Sequence, residues 1–245
     1  MGTRISAVWE LRDDTLEDCV CRVNETFHRL AQLAPEWSNW FRGYESTVDR
    51  ERGPLYLLDK PDLIRRELVN GQHKHAGEIV ADLGYFLTAA SGPPMGKGTE
   101  MSFLRVNCCV RSPFARFNKV SLELPVKAHA PGLYDPDMLA SAVAVLADVW
   151  DPDWALVWDG HTKIVPRPWE YGPVLGMVTY LPSRTGVVEG ELPREWRWFN
   201  ARGEKQIFIY QGGTPDPKNS NDVSSFAQMA SRIRWSAGRN HPMRK

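Results

Sequence analysis

The chain has 245 residues, 42% hydrophobic and 24% charged, with 30 basic side chains against 30 acidic ones. That length can bury a sizeable core, and the composition excludes disordered and collagen-like classes. The neutral balance gives no overall pull toward nucleic acid or an anionic membrane, so any electrostatic role must come from local patches.

In chain order, residues 5–10 alternate as a short strand does. Asp13 or Asp14 can then cap a helix running to about Leu33, with Leu16, Val20, Val23, Phe27 and Leu30 on one apolar stripe. Pro35 ends it. Trp37, Trp40, Phe41 and Tyr44 form an aromatic connection to a second helix over 61–69, which has Pro61 in its first turn and Gly71 past its end. From Gly84 the period changes. Gly84–Ala90, Met101–Val110 and Lys119–Leu124 read as a strand meander, with 92–98 as its first turn. Asp135 and Pro136 open the clearest helix. Its buried stripe is Leu139, Ala142, Val143, Leu146, Val149 and Trp150, and its narrow solvent face is Asp137, Ser141, Ala144 and Asp148. Trp154–Trp158 is apolar at every position, as in a strand covered on both faces. Val174–Leu181 and Ile207–Tyr210 read as further strands. A last helix starts near Asn221 or Asp222, and the basic tail over 236–245 is expected to fray. Helices at the front followed by strands argue for a single α+β domain over 1–245, a mostly antiparallel sheet flanked by helices.

The residues recommend no catalytic constellation, cofactor or metal. Gly92–Gly98 fails as a phosphate loop: Ser91 stands where the first Gly is needed, Gly98 where Ser or Thr is needed, and a strand follows instead of a helix. His73, His75 and Glu78 lack the spacing of a helical zinc motif. His28, His129, His161 and His241 stand without companions, and no Gly-x-Ser-x-Gly elbow occurs. Asp151-Pro152-Asp153, with Asp159 six residues on, is the densest carboxylate group. Ala155 breaks a calcium loop, and His161-Thr162-Lys163 lacks the acidic residue of a nuclease signature, so a turn is the simpler reading. The four cysteines come as Cys19/Cys21 on a helix and Cys108/Cys109 on a strand, where neighbours point to opposite faces. Neither spacing matches a zinc site or a disulfide framework. Reduced thiols used as small core residues point to the cytoplasm. No apolar run reaches the ~18–20 residues of a membrane span, and Asp13-Asp14 leave no room for a signal-peptide core. Gly2 with Ser6 fits the myristoylation string, which is common by chance.

Charge and aromatic patterning point instead to protein binding. Residues 135–159 carry six Asp and no Lys or Arg. Surfacing together, Asp137, Asp148, Asp151, Asp153 and Asp159 would form an acidic patch that steers a basic partner. Of the ten tryptophans, Trp150, Trp154 and Trp158 read as core. Trp37, Trp40, Trp196 and Trp198 sit in polar surroundings and are the interface candidates.

The segment Leu146–Val157 closes a helix and opens a strand. Before it come Gly84-Tyr-Phe-Leu87, Phe103-Leu-Arg-Val-Asn107 and Asn118–Pro125. In that order and spacing the chain resembles the immunity protein 52 family of bacterial polymorphic toxin systems, from the first helix to about Tyr210. The resemblance implies a cytoplasmic antidote without catalytic residues or cofactor. Its partner would be a cognate toxin with a restriction-endonuclease-like domain (REase-5 type), delivered by a type VI or related secretion system. No direct contact with nucleic acid or membrane is implied. Two other readings stay open. One is an adaptor or structural component of a secretion apparatus, marked by persistent self-assembly. The other is a hydrolase holding a metal with Asp151, Asp153 or Asp159 and His161, marked by a metal-dependent thermal shift.

Overall fold

A computed structural model describes residues 2–42, 53–94, 96–112, 118–159, 175–184, 186–199 and 205–235. Tyr44, His161 and the tail over 236–245 lie outside the described residues.

Strand β1 (Arg4–Trp9) leads into helix α1 (Leu16–Leu33). The cap of α1 is Thr15, not Asp13 or Asp14: Asp18 N–H donates to Thr15 Oγ1 at 3.2 Å and Thr15 N–H returns to Asp18 Oδ2 at 2.8 Å. Asp14 turns inward and pairs with Arg22 at 2.9 Å. Strand β2 (Trp40–Arg42) precedes helix α2 (Pro61–Asn70), which ends at Gly71 as its sequence implies. A two-residue hairpin, β3 (Lys74–His75) and β4 (Glu78–Ile79), places His75 opposite Glu78 in what the sequence suggested was loop. Strands β5 (Tyr85–Ser91), β6 (Ser102–Cys108) and β7 (Asn118–Glu123) form the meander, joined at 92–101 by a hairpin connection. Helix α3 (Pro136–Trp150) is capped by Asp135, whose carboxylate accepts from Asp137 N–H and Met138 N–H. Then come β8 (Trp154–Trp158), β9 (Val178–Pro182), β10 (Gly186–Val188), β11 (Trp196–Phe199) and β12 (Lys205–Tyr210). Helix α4 (Ser220–Arg232) and β13 (Ile233–Trp235) complete the described chain.

Nine strands make one sheet in the order β11-β12-β9-β8-β1-β7-β6-β5-β2, and every described pairing in it is antiparallel. The fold is α+β, a large antiparallel sheet with helices. The period of two divides every strand between two faces. One face carries Ile5, Ala7, Leu104, Val106, Val120, Leu122, Ala155 and Val157, and it packs under the stripes of α1 and α3. Trp150 of α3 stacks on Trp9 of β1 at 5.1 Å, and Phe27 of α1 stacks on Trp40 at 4.9 Å. The opposite face is split. Over β8, β9, β12 and β11 it is covered by α4, burying Trp154, Leu156, Leu181, Phe208, Tyr210 and Phe226. Strand β8 is therefore enclosed on both sides, as its unbroken apolar run requires. Over β1, β7 and β6 the same face carries Arg4, Arg105, Lys119 and Glu123 instead.

Candidate functional site: the carboxylates of α3 and the tryptophan edge

The carboxylates that the sequence groups together follow from the geometry of α3 and the turn after it. Asp137 and Asp148 both face outward on a helix whose other sides are buried, with the i+4, i+3 and i+4 spacing of one face. Each meets a cation from another element. Asp137 accepts from Arg197 of β11. Asp148 accepts from Arg29 of α1 at 2.7 Å and also from Lys205 of β12. Arg197 and Lys205 sit on the face of the sheet that packs under α3 because they alternate along their strands with Trp196 and Gln206, which point to the α4 face. Burial works against the Asp148 charge, but Lys205 and Arg29 outweigh it and hold the carboxyl below the ordinary range.

Asp151 ends α3 with φ 42°, ψ 56°, a left-handed conformation that Asp tolerates better than most residues. The run Asp151-Pro152-Asp153 is a turn, and its acids are largely occupied within the fold. Arg184 donates to Asp151 Oδ1 and to the Asp151 carbonyl, both at 2.8 Å. Arg12 lies over the Trp9 ring and donates to the last carbonyls of α3, Trp150 O at 2.8 Å and Asp151 O at 3.0 Å. Two guanidinium groups thus sit at a helix C-terminus, where the macrodipole favours cations. Burial disfavours the charge of Arg184, but its bond to Asp151 and the field of Asp153 leave its pKa above the ordinary value. Asp153 is drawn further in: Glu10 N–H donates to its Oδ2 at 2.8 Å, and Asp153 N–H donates to Val8 O at 2.9 Å.

The expected acidic patch is therefore corrected in two ways. Asp137, Asp148, Asp151 and Asp153 alternate with Arg197, Arg29, Lys205, Arg184 and Arg12, so the surface is a mixed-charge string. Its exposed pairs are each worth only ~0–1 kcal/mol. Asp159 lies past the other end of β8, roughly 20 Å of strand away from Asp153. That separation also prevents Asp153 and Asp159 from sharing one metal ion. The five cations had no local signal, because they come from α1, β11, β12 and loops 33 to 139 residues away in sequence.

The tryptophans are sorted by the same alternation. Trp196, a candidate interface residue, is only 4% exposed. It packs against Phe226 at 4.9 Å and Tyr210 at 5.3 Å, and its Nε1 donates to Ser225 Oγ at 3.1 Å. Trp37 and Trp40, also candidates, are fully buried; Trp37 Nε1 donates to Ser102 Oγ at 2.9 Å. Their polar sequence neighbours reflected strand and turn alternation, not exposure. Trp198, by contrast, is 47% exposed on edge strand β11, touching Phe208 edge-on. It lies on the α4 face, opposite the α3 face that carries Arg197 and Asp137, so one surface does not join the aromatic and the acids.

Two further features were not anticipated. On the partly open face, Glu123 of β7 accepts from Arg4 at 2.8 Å and Arg105 at 2.9 Å, beside Lys119. Burial first, then Arg4 and Arg105, push the Lys119 pKa down. A cleft of about 560 Å³ is lined by Glu36, Asn39, Ser91, Glu100 and His129 among others. Both of its serines are engaged: Ser91 Oγ donates to Glu36 O at 2.9 Å, and Ser102 Oγ accepts from Trp37 Nε1. No described helix is long and apolar enough to cross a membrane.

No curated protein matches the chain. Among solved structures, Pseudomonas aeruginosa T6SS protein PA0821 aligns over 96% of this chain and 76% of its own, at 12% identity and a TM-score of 0.48. That likeness is too loose to carry function. The model of one family, described as immunity protein 52, matches residues 4–197. This span takes in β1, α1, the meander, α3 and the charged turn beyond it, and the chain belongs to the immunity protein 52 family.

Proposed function

We propose that the protein is an antidote that binds and neutralises a cognate secreted toxin in the cytoplasm of the producing bacterium, without catalysis of its own. The observation that carries this reading is family membership over residues 4–197. A nuclease of the restriction-endonuclease-like (REase-5) type, delivered by a type VI or related system, is the proposed toxin. Such an enzyme must present a cationic DNA-binding cleft. The outward carboxylates of α3, chiefly Asp137 and Asp151, are the groups proposed to meet it; Trp198, on the opposite face of the sheet, is a separate candidate contact at the sheet edge and not part of that surface. Each carboxylate already has an internal cation, so contact with the toxin exchanges one partner for another and adds more to steering than to affinity. An ordinary interface of roughly 1,200–2,000 Å² would suffice.

The test is co-expression with the nuclease domain encoded by the adjacent gene, scoring survival and co-purification. Rescue with a stable stoichiometric complex is expected. Death despite abundant soluble protein, with no complex, removes that toxin as the target. The surface is tested separately with Asp137→Lys/Asp151→Lys. Slower association at low salt is expected, and an unchanged on-rate would place the interface elsewhere, with the Arg4–Arg105–Lys119 face as the next surface to probe.

A further inference from the structure

The fold gathers three of the four cysteines into one buried cluster that sequence spacing gave no reason to expect. Cys19 lies in the second turn of α1, Cys108 is the last residue of β6, and Cys109 follows it. Their Sγ atoms all lie within 4.8 Å of one another, and the sulfurs of Cys19 and Cys109 are 3.4 Å apart. Cys19 and Cys108 are fully buried and Cys109 is 7% exposed. Cys21, two residues along the helix, is exposed and takes no part.

Neighbouring residues of a regular strand point to opposite faces. Cys108 and Cys109 escape that rule because Cys109 has φ 57°, and the left-handed turn brings its thiol back to the side of Cys108. This conformation costs a residue with a Cβ roughly 1–2 kcal/mol. The surroundings hold it in place. Val110 N–H donates to Asn118 Oδ1 at 2.9 Å, and Arg111 and Ser112 N–H both donate to Asp82 O at 2.9 Å. Gly84, with φ 71°, lies against the same peptide, where a Cβ would fall 2.1 Å from Cys108 O. Small apolar residues in a regular strand would fill a core without this turn. A strained backbone that aims two adjacent thiols at a third on another element is instead the arrangement of a ligand set.

We propose that Cys19, Cys108 and Cys109 form a binding site for a thiophilic d¹⁰ cation, Zn²⁺, held by three thiolates with a further position left for an oxygen ligand. With Zn–S of about 2.3 Å, three thiolates around one ion stand about 3.8–4.0 Å apart. The Cys19–Cys109 separation of 3.4 Å is a few tenths of an ångström shorter than that spacing, and no pair exceeds it by more than about 1 Å, so small side-chain shifts suffice for binding. The Asp14 carbonyl, which accepts from the Cys109 thiol at 3.2 Å, is an oxygen already at the site and is released from that bond when the thiol ionises. The step is an exchange: three S–H bonds give way to three S–Zn bonds, three protons leave to solvent, and nothing is oxidised or reduced. The ion ties the start of α1 to the end of β6 across about ninety residues, and it stabilises the native state by mass action.

The experiment uses the full chain, stripped of metal and kept reduced with a phosphine. Titration with Co²⁺ is expected to raise a thiolate-to-cobalt charge-transfer absorption that saturates at one equivalent and is displaced by Zn²⁺. Zn²⁺ should also raise the Tm. Cys21→Ser is expected to behave as the parent, and Cys19→Ser or Cys108→Ser to lose the saturating absorption. A folded, reduced parent chain that shows neither the absorption nor a Tm shift with excess metal overturns the proposal, whatever the variants do. So does an absorption that survives in Cys19→Ser and Cys108→Ser but vanishes in Cys21→Ser.

Discussion

Trp150 joins three elements of the core, and one buried hydrogen bond positions it. Its ring stacks on Trp9, and its Nε1 donates to Thr26 Oγ1 at 2.9 Å. Thr26 Oγ1 in turn donates to Arg22 O at 2.7 Å, and both Thr26 and Trp150 are fully buried. Thr26→Val keeps the volume and the β-branch, so it opens no cavity, but it leaves the indole N–H without an acceptor. An unpaired buried donor costs ~1–3 kcal/mol. The added methyl returns up to ~0.8 kcal/mol of apolar burial, leaving a loss of about 1–2 kcal/mol. For a chain of this size that lowers Tm by roughly 2–8 °C. Trp150→Phe removes the donor itself, so adding Thr26→Val to that background should cost no more than about 0.5 kcal/mol. The coupling in the double-mutant cycle is then about 1 kcal/mol or slightly more. Urea unfolding followed by far-ultraviolet circular dichroism reads all four chains with one probe, since fluorescence would change with Trp150. If Thr26→Val costs the same in both backgrounds, the bond does not position Trp150, and the loss belongs to helix α1 alone.

Other consequences can be measured alongside it. Gly84 combines φ 71° with ψ −152°, a region open essentially to Gly, and its missing Cβ clears Cys108 O; Gly84→Ala should lower stability by ~3 kcal/mol or more, and a midpoint within 0.5 kcal/mol of the parent would contradict the close approach. Trp196→Ala should cost ~3–5 kcal/mol as a buried aromatic truncation, whereas Trp198→Ala should leave stability within about 0.5 kcal/mol and weaken toxin binding by about 1 kcal/mol or more if the sheet edge is a contact. Equal losses of stability would mean Trp198 is as buried as Trp196. Burial raises the pKa of both Tyr180 and Tyr210, and the bond that the Tyr210 hydroxyl donates to Asp222 at 2.5 Å raises it further. Folding therefore favours the neutral phenols: their contribution is whole below about pH 10, the unfolded value, and is lost as pH rises toward the higher folded values. Urea midpoints should fall above about pH 10, less steeply in Tyr210→Phe. Tyrosinate absorption growing at ordinary pH while the dichroism stays native for all seven tyrosines would refute this.

Periodicity and punctuation alone place β1, α1, α2, α3, β8 and the meander, because a helix stripe or a strand alternation is a property of neighbouring residues. Pro61, Gly71, Asp135 and Pro136 mark ends for the same local reason. Errors arise where two local signals compete. Thr15 outbids Asp14 as the cap of α1 because Asp18 stands three residues on, and a polar neighbourhood says nothing about which face of a strand Trp196 occupies. The resemblance to the family was carried by the order of segments, which survives without contact information. The sequence could not show that Asp137, Asp148 and Asp151 find cations from β11, β12, α1 and the turn after β9, or that Asp153 and Asp159 are separated by the length of β8. Nor could it show that three thiols from positions 19, 108 and 109 converge. Charge pairing and ligand convergence depend on distances between elements far apart in sequence. Sheet order and one left-handed residue at 109 decide those distances, and both are set by the packing of the whole chain.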